Sequence, residues 1–111
     1  MAGSIHVRVV SPERVVFSGD ADSLVAPAWD GKVGILPGHA PMLALLGAGE
    51  LTVRTPGGGT SRYQVAGGIL KVEDNQATVL TEYAGTTPAP PSIAAAVVQP
   101  EDVAEAASRR D

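Results

Sequence analysis

Asp30-Gly31-Lys32-Val33-Gly34-Ile35-Leu36-Pro37-Gly38-His39-Ala40-Pro41 sets three glycines, two prolines and a histidine around three large aliphatics. Glycine takes positive φ without a Cβ clash, whereas proline fixes φ and removes a donor, so the run suits neither a helix nor a central strand. Val33, Ile35 and Leu36 are the anchors. They predict a short strand, Val33 to Leu36, running into a stiff turn that presents His39 above an apolar surface. Gly31, Gly34, Pro37 and Gly38 are the residues expected to shape that loop.

Outward from this loop, from Ile5 to Thr81, apolar residues recur at alternate positions or in short β-branched runs. Gly, Pro, Asp or Asn interrupt them every eight to ten residues or so, which is the signature of short strands. The expected strands are Ile5–Val10, Arg14–Ser18, Asp22–Pro27, Val33–Leu36, Met42–Leu46, Gly49–Thr55, Ser61–Ala66, Ile69–Glu73 and Ala77–Thr81. Pro56-Gly57-Gly58-Gly59 and Asp74-Asn75 read as hairpin turns. Gly67-Gly68 falls inside a strand pattern, where missing side chains point to a bulge or a close approach of another backbone. Short antiparallel strands hide their apolar faces most simply in two packed sheets, so the fold class is all-β, a two-sheet β-sandwich of about nine or ten strands. Aromatic residues are 4% of the chain, so the core must be built from Val, Leu and Ile. Trp29, in a loop beside Pro27 and Asp30, is expected to cover one end of that core; the other reading is an interface anchor.

At 111 residues the chain holds one domain with a core of modest size. The sandwich is assigned to residues 1–85. Residues 86–99 follow as a Pro/Ala-rich linker whose prolines exclude helix. Residues 100–111 read as a short helix, with Pro100 in its first turn, acids next and Arg109 and Arg110 at its end. Its only apolar stripe is Val103 and alanines, so by itself the helix is marginal.

The net charge of −4 opposes nucleic-acid binding, and Arg8, Arg14, Lys32, Arg54, Arg62 and Lys71 are scattered along the chain. There are no cysteines, hence no disulfides and no thiolate metal sites. The first residues lack a basic and an apolar signal region, and no apolar run nears the ~20 residues that cross a bilayer, so membrane association is expected only through other proteins.

Catalytic constellations are thin. His6 alternates with Ile5 and Val7 and reads as solvent-facing, without a partner at metal-ligand spacing. Asp20, Asp22 and Asp30 could gather near His39, but acids beside glycines are more simply turn residues. There is no Gly-x-Ser-x-Gly elbow, and Gly31-Lys32 lacks the upstream glycine and downstream Ser or Thr of a phosphate-binding loop. No catalytic residue, cofactor site or metal site is assigned. A binding module outranks an enzyme.

The Asp30–Pro41 run resembles the central motif of the epsilon-subunit family of F-type, proton-translocating ATP synthases. Val9-Val10-Ser11-Pro12-Glu13, Val16-Phe17-Ser18-Gly19, Gly49-Glu50-Leu51-Thr52-Val53, Gly67-Gly68-Ile69-Leu70-Lys71-Val72 and Ala77-Thr78-Val79-Leu80-Thr81-Glu82 agree with the family's further blocks in order and spacing, up to Gly85. The resemblance implies a non-catalytic coupling subunit of the central stalk. In that family the β-sandwich grips the gamma subunit and rests on the c-ring, beneath the alpha/beta catalytic head. The location it implies is peripheral, on the cytoplasmic face of the bacterial plasma membrane. The alternative from the residues alone is a free-standing sandwich that binds a protein or a glycan.

By motif position, Ser11, His39, Pro41, Met42 and Ala44 match gamma-facing residues, and Lys32 matches a residue that faces the c-ring. Lys32 stands where the family often has an acid, and Lys71 where it commonly has glutamate. Met42 can adapt to a helical partner, Ala44 permits close approach, and a stiff loop loses little entropy on docking. Met42 and Leu43 must point to opposite faces, so one of the two is expected in the core. Members of the family also carry two C-terminal helices that can inhibit hydrolysis and, in some, bind ATP. The helix expected over Glu101 to Arg110 would be only about 15 Å long, so inhibition and ATP binding by this segment are expected to be weak or absent.

Overall fold

The structure is a computed structural model that describes residues 3–87. The expected helix and most of the expected linker lie outside the described residues. Ten strands follow in chain order: β1 (Ile5–Val10), β2 (Val15–Ala21), β3 (Ser23–Ala28), β4 (Gly31–Ile35), β5 (Met42–Leu45), β6 (Ala48–Arg54), β7 (Thr60–Ala66), β8 (Ile69–Glu73), β9 (Gln76–Leu80) and β10 (Tyr83–Gly85). They form two five-stranded sheets, ordered β2-β1-β9-β8-β5 and β10-β7-β6-β3-β4. This is the expected two-sheet sandwich. Among the described residues no helix is long and apolar enough to cross a membrane.

Period-two burial builds both layers. In β1, Ile5, Val7 and Val9 are completely buried while His6 and Arg8 face out. Val7 and Val9 stand beside Ala77 and Val79 of β9, and Leu70 and Val72 of β8 continue the same inner face. Across the core, Leu24, Ala26, Ile35, Leu51, Val53 and Val65 answer from the second sheet. Among the described residues the core cluster is built of Ile, Val, Leu and Ala, with no fully buried aromatic side chain, as the low aromatic content requires. Each fully buried Val, Leu or Ile contributes roughly 1.5–3 kcal/mol before chain entropy is counted.

Three features depart from the expected strand pattern. One pairing, β1 with β9, is parallel; it is possible because the chain passes through the second sheet before returning. β2 continues to Ala21, three residues beyond the expected end, because Gly19 and Asp20 pair with Val7 and His6 despite their low strand preference. A tenth strand, Tyr83–Gly85, pairs with β7 through Tyr83↔Ala66 and Gly85↔Gln64. Three residues are too few to show an alternation.

Of the passages between the sheets, three, Leu46-Gly47, Gly67-Gly68 and Thr81-Glu82, are bonded to one another. Leu46 N–H donates to Gly68 O at 2.9 Å, and Gly67 N–H donates to Gly47 O at 3.1 Å. The buried Thr81 hydroxyl donates to Gly67 O at 2.8 Å and lies 3.1 Å from Ala66 O. Gly68 has φ +107°, and a Cβ there would sit 1.8 Å from Leu80 O. The expected close approach of another backbone at Gly67-Gly68 is therefore present, and it is the β9 end that approaches.

Candidate docking edge between β4 and β5

The strand orders leave β4 and β5 as edges of their sheets, and they frame the open side of the sandwich. At one end the edges are closed by the bridge Ala28↔Leu46, by Trp29 N–H donating to Leu45 O at 3.1 Å and by Gly47 N–H donating to Pro27 O at 2.8 Å. At the other end residues 36–41 carry the chain from β4 to β5. Between them lies a cleft of about 580 Å³, lined by residues 28–33 and 42–45.

The two faces of β5 differ, and the register says why. Met42 stands opposite Val72 and Ala44 opposite Leu70, both buried partners, so these two side chains belong to the inner face. Met42 is half-buried and packs on the core. Leu43 stands opposite Lys71 on the outer face and is 67% exposed. Met42 is thus the member of the pair that joins the core. It reaches the cleft only with the part of its side chain that remains uncovered.

Trp29, expected to cover one end of the core, is not closed over it: it is 45% exposed on the β3–β4 turn and lines the cleft, with its backbone N–H held by Leu45 O at the rim. Lys32, exposed on β4 opposite Pro27, lines the same cleft. Among the described residues it has no ion-pair partner, whereas Lys71 reaches Glu73 at 2.9 Å along the outer face of β8.

His39 and Pro41 lie on the β4–β5 loop. Pro37 and Gly38, with Gly38 at φ +81°, occupy the middle of a tight turn closed by His39 N–H donating to Leu36 O at 3.1 Å. His39 Nδ1 is 2.7 Å from Ala40 O, so in this contact Nδ1 donates to the carbonyl. Leu36 is 62% exposed beside this turn, past the end of β4 at Ile35, so the strand stops one residue before the expected end. Gly34, expected to shape the loop, lies inside β4, and a Cβ there would meet nothing within 4 Å. Gly31 has φ +130° and begins β4 directly after the turn.

Ser11 lies apart from the other residues matched to gamma. It is buried in the β1–β2 turn, where its N–H donates to Arg14 O at 2.9 Å, and it lines a smaller hollow of about 230 Å³ with Pro12, Leu80 and Glu82. β1 separates this hollow from the β4–β5 loop: its start is bonded to Asn75 through His6 N–H, and its end to Thr81 through Val10 O. A six-residue strand is roughly 20 Å long. The acids considered with His39 also fall on separate elements. Asp20 pairs with His6 at 3.4 Å on β2, Asp22 follows β2, and Asp30 sits in the β3–β4 turn. Among the described residues no group of three or more His, Asp or Glu side chains comes together.

Two parts of this edge escaped the sequence reading: the exposed Leu43 and the side chain of Asn75. Asn75 Oδ1 accepts the Gly38 N–H at 2.9 Å, and its Nδ2 donates to Ser4 O. The available signal was an asparagine in the second position of a two-residue hairpin turn, where glycine fits with less strain.

Comparison with known proteins agrees with this architecture. Solved mitochondrial ATP synthases resemble it in fold: a chain of the Euglena gracilis enzyme, in its OSCP/F1/c-ring structure, has a TM-score of 0.70 at 22% identity, covering 93% of this chain and 61% of that one. A chain from the central stalk and c-ring of the Tetrahymena thermophila enzyme gives 0.64 at 17% identity, covering 75% and 66%. Curated relatives named ATP synthase epsilon chain are closer in sequence. The one from Leptospira borgpetersenii is 43% identical over 74% of this chain and 64% of its own length. That from Streptomyces coelicolor is 42% identical over 76% and 68%, and that from Micrococcus luteus 45% identical over 68% and 82%. The match thus spans a little under two thirds of the Leptospira relative. The family model for the ATP synthase Delta/Epsilon chain, beta-sandwich domain, matches residues 4–86, three quarters of the chain, and with these relatives it makes the protein a member of the ATP synthase delta/epsilon chain family.

Proposed function

We propose that this chain is a non-catalytic epsilon subunit of an F-type ATP synthase central stalk, coupling rotation of the gamma subunit to the c-ring during proton-driven ATP synthesis. The observation that carries the reading is the likeness, at 42–43% identity over 74–76% of the chain, to relatives named ATP synthase epsilon chain. The geometry supports a binding role. Trp29 and Leu43 leave large apolar surfaces beside a preformed cleft, a composition suited to a protein interface. In this reading gamma covers the β5 edge and the loop bearing His39 and Pro41, with Met42 and Ala44 at the base of the contact. Lys32 reaches toward acidic or carbonyl groups on the c-ring loops. Membrane association, on the cytoplasmic face of a bacterial plasma membrane, then comes through the complex.

Calorimetric titration of the full chain into isolated gamma subunit tests the proposal. Saturable binding is expected, with Leu43→Asp at least tenfold weaker because an unpaired charge would be buried at the interface. Full affinity in that variant removes this edge from the interface, and no binding by the unaltered chain removes the function.

A further inference from the structure

We infer that Asn75 is a positioning residue that holds the β4–β5 loop, with His39 and Pro41, in its docking shape; the link to docking rests on the function proposed above. Asp74 and Asn75 form the two-residue turn between β8 and β9, with φ of 49° and 59°. Such a turn needs positive φ at both positions and most readily takes glycine at the second. Asparagine there accepts some backbone strain in return for a side chain. Both polar atoms of that side chain are engaged. Its Oδ1 accepts the Gly38 N–H at 2.9 Å from the loop, and its Nδ2 donates to Ser4 O just before β1. The backbone contributes as well, since Asn75 O accepts the His6 N–H at 3.1 Å. One residue therefore joins the hairpin turn, the start of β1 and the loop.

The loop needs such a tie. Among the described residues the other hydrogen bonds made by residues 37–40 are local, from His39 N–H to Leu36 O and from His39 Nδ1 to Ala40 O. They set the shape of the turn but not its position against the sheet. Gly38 sits at the tip, and without Asn75 its N–H would be satisfied by water, leaving the loop free to sample other positions that docking must then remove.

Two substitutions separate this role from a general structural one. Asn75→Gly keeps the turn conformation and deletes both side-chain bonds, whereas Asn75→Asp keeps an acceptor for Gly38. Amide hydrogen exchange in the free full-length chain and binding to isolated gamma are measured for each. In Asn75→Gly the Gly38 amide should exchange about three- to tenfold faster, the factor expected for one neutral hydrogen bond, while Val7 and Val79 keep their protection. Gamma should bind more weakly by a similar factor. Asn75→Asp should restore both Gly38 protection and affinity. Unchanged Gly38 exchange in Asn75→Gly overturns the tie itself, and faster exchange with unchanged affinity overturns its part in docking. If the unaltered chain does not bind gamma, the proposed function falls, and the exchange result alone decides whether Asn75 holds the loop.

Discussion

The chain crosses between its sheets in two contrasting ways. Where Leu46-Gly47, Gly67-Gly68 and Thr81-Glu82 cross, backbone bonds to backbone, Thr81 is buried, and Gly68 leaves no room for a side chain beside Leu80 O. Where residues 36–41 cross, the passage leaves Leu36 exposed and, among the described residues, is tied to the sheet by one side chain from another turn. The first arrangement is over-determined, so strain there can be held and an atom added at Gly68 disrupts the fold. The second is shaped but lightly held, which suits a surface that must meet a partner without much loss of freedom. Under the proposed function, stability and binding thus fall to different crossings.

The sharpest way to break this contrast is Gly68→Ala. The new Cβ would collide with Leu80 O, Leu80 C and Thr81 Cα in a residue at φ +107°, and these are backbone atoms that cannot turn aside as a side chain could. The expected loss is at least ~4 kcal/mol, a large share of the ~5–15 kcal/mol typical of a domain. Urea unfolding of the variant should show a midpoint far below that of the unaltered chain; an equal midpoint would mean that this crossing yields easily.

Adjacent residues on β5 give a finer test. Met42 packs on the core, so Met42→Asp should destabilise the free chain by ~1–3 kcal/mol, whereas Leu43→Asp on the outer face should stay within ~0.5 kcal/mol. A thermal melt of each checks the pair. Loss of stability in Leu43→Asp equal to that in Met42→Asp would contradict the register Leu43↔Lys71. The same difference makes Leu43 the cleaner probe of gamma binding, because a fall in affinity there cannot be attributed to unfolding.

The smallest effect is expected at Lys32. Exposed at the lip of the cleft, it can contribute only a rim contact of ~1 kcal/mol or less that fades with salt. Lys32→Glu should loosen attachment to isolated c-ring slightly at low ionic strength and not at all at high. Tighter attachment at low salt would show that the group facing Lys32 is basic.

Much of this molecule was legible in the order of its residues. Alternation from Ile5 to Thr81 carried the all-β class, since a half-buried strand needs period two, and the strands over Ile5–Val10 and Ile69–Glu73 were readable to the residue. The Gly67-Gly68 pair pointed to a bulge or a close backbone approach, and the second is present because only the absence of Cβ permits it at Gly68. Other features depended on partners distant in sequence. The parallel β1–β9 pairing, the extension of β2 over Gly19 and Asp20, and the three-residue β10 exist because a neighbouring strand offers hydrogen bonds at the right register. Which of Met42 and Leu43 turned inward was open until β8 placed Val72 and Lys71 opposite them. That Trp29 lines the cleft with 45% of its surface exposed depends on the β3–β4 turn meeting β5 at the rim, a contact between segments distant in sequence. Local sequence determines conformation and the spacing of apolar residues, whereas exposure and contact are properties of pairs of segments; only tertiary structure decided that Asn75, thirty-seven residues after Gly38, would be the residue that holds it.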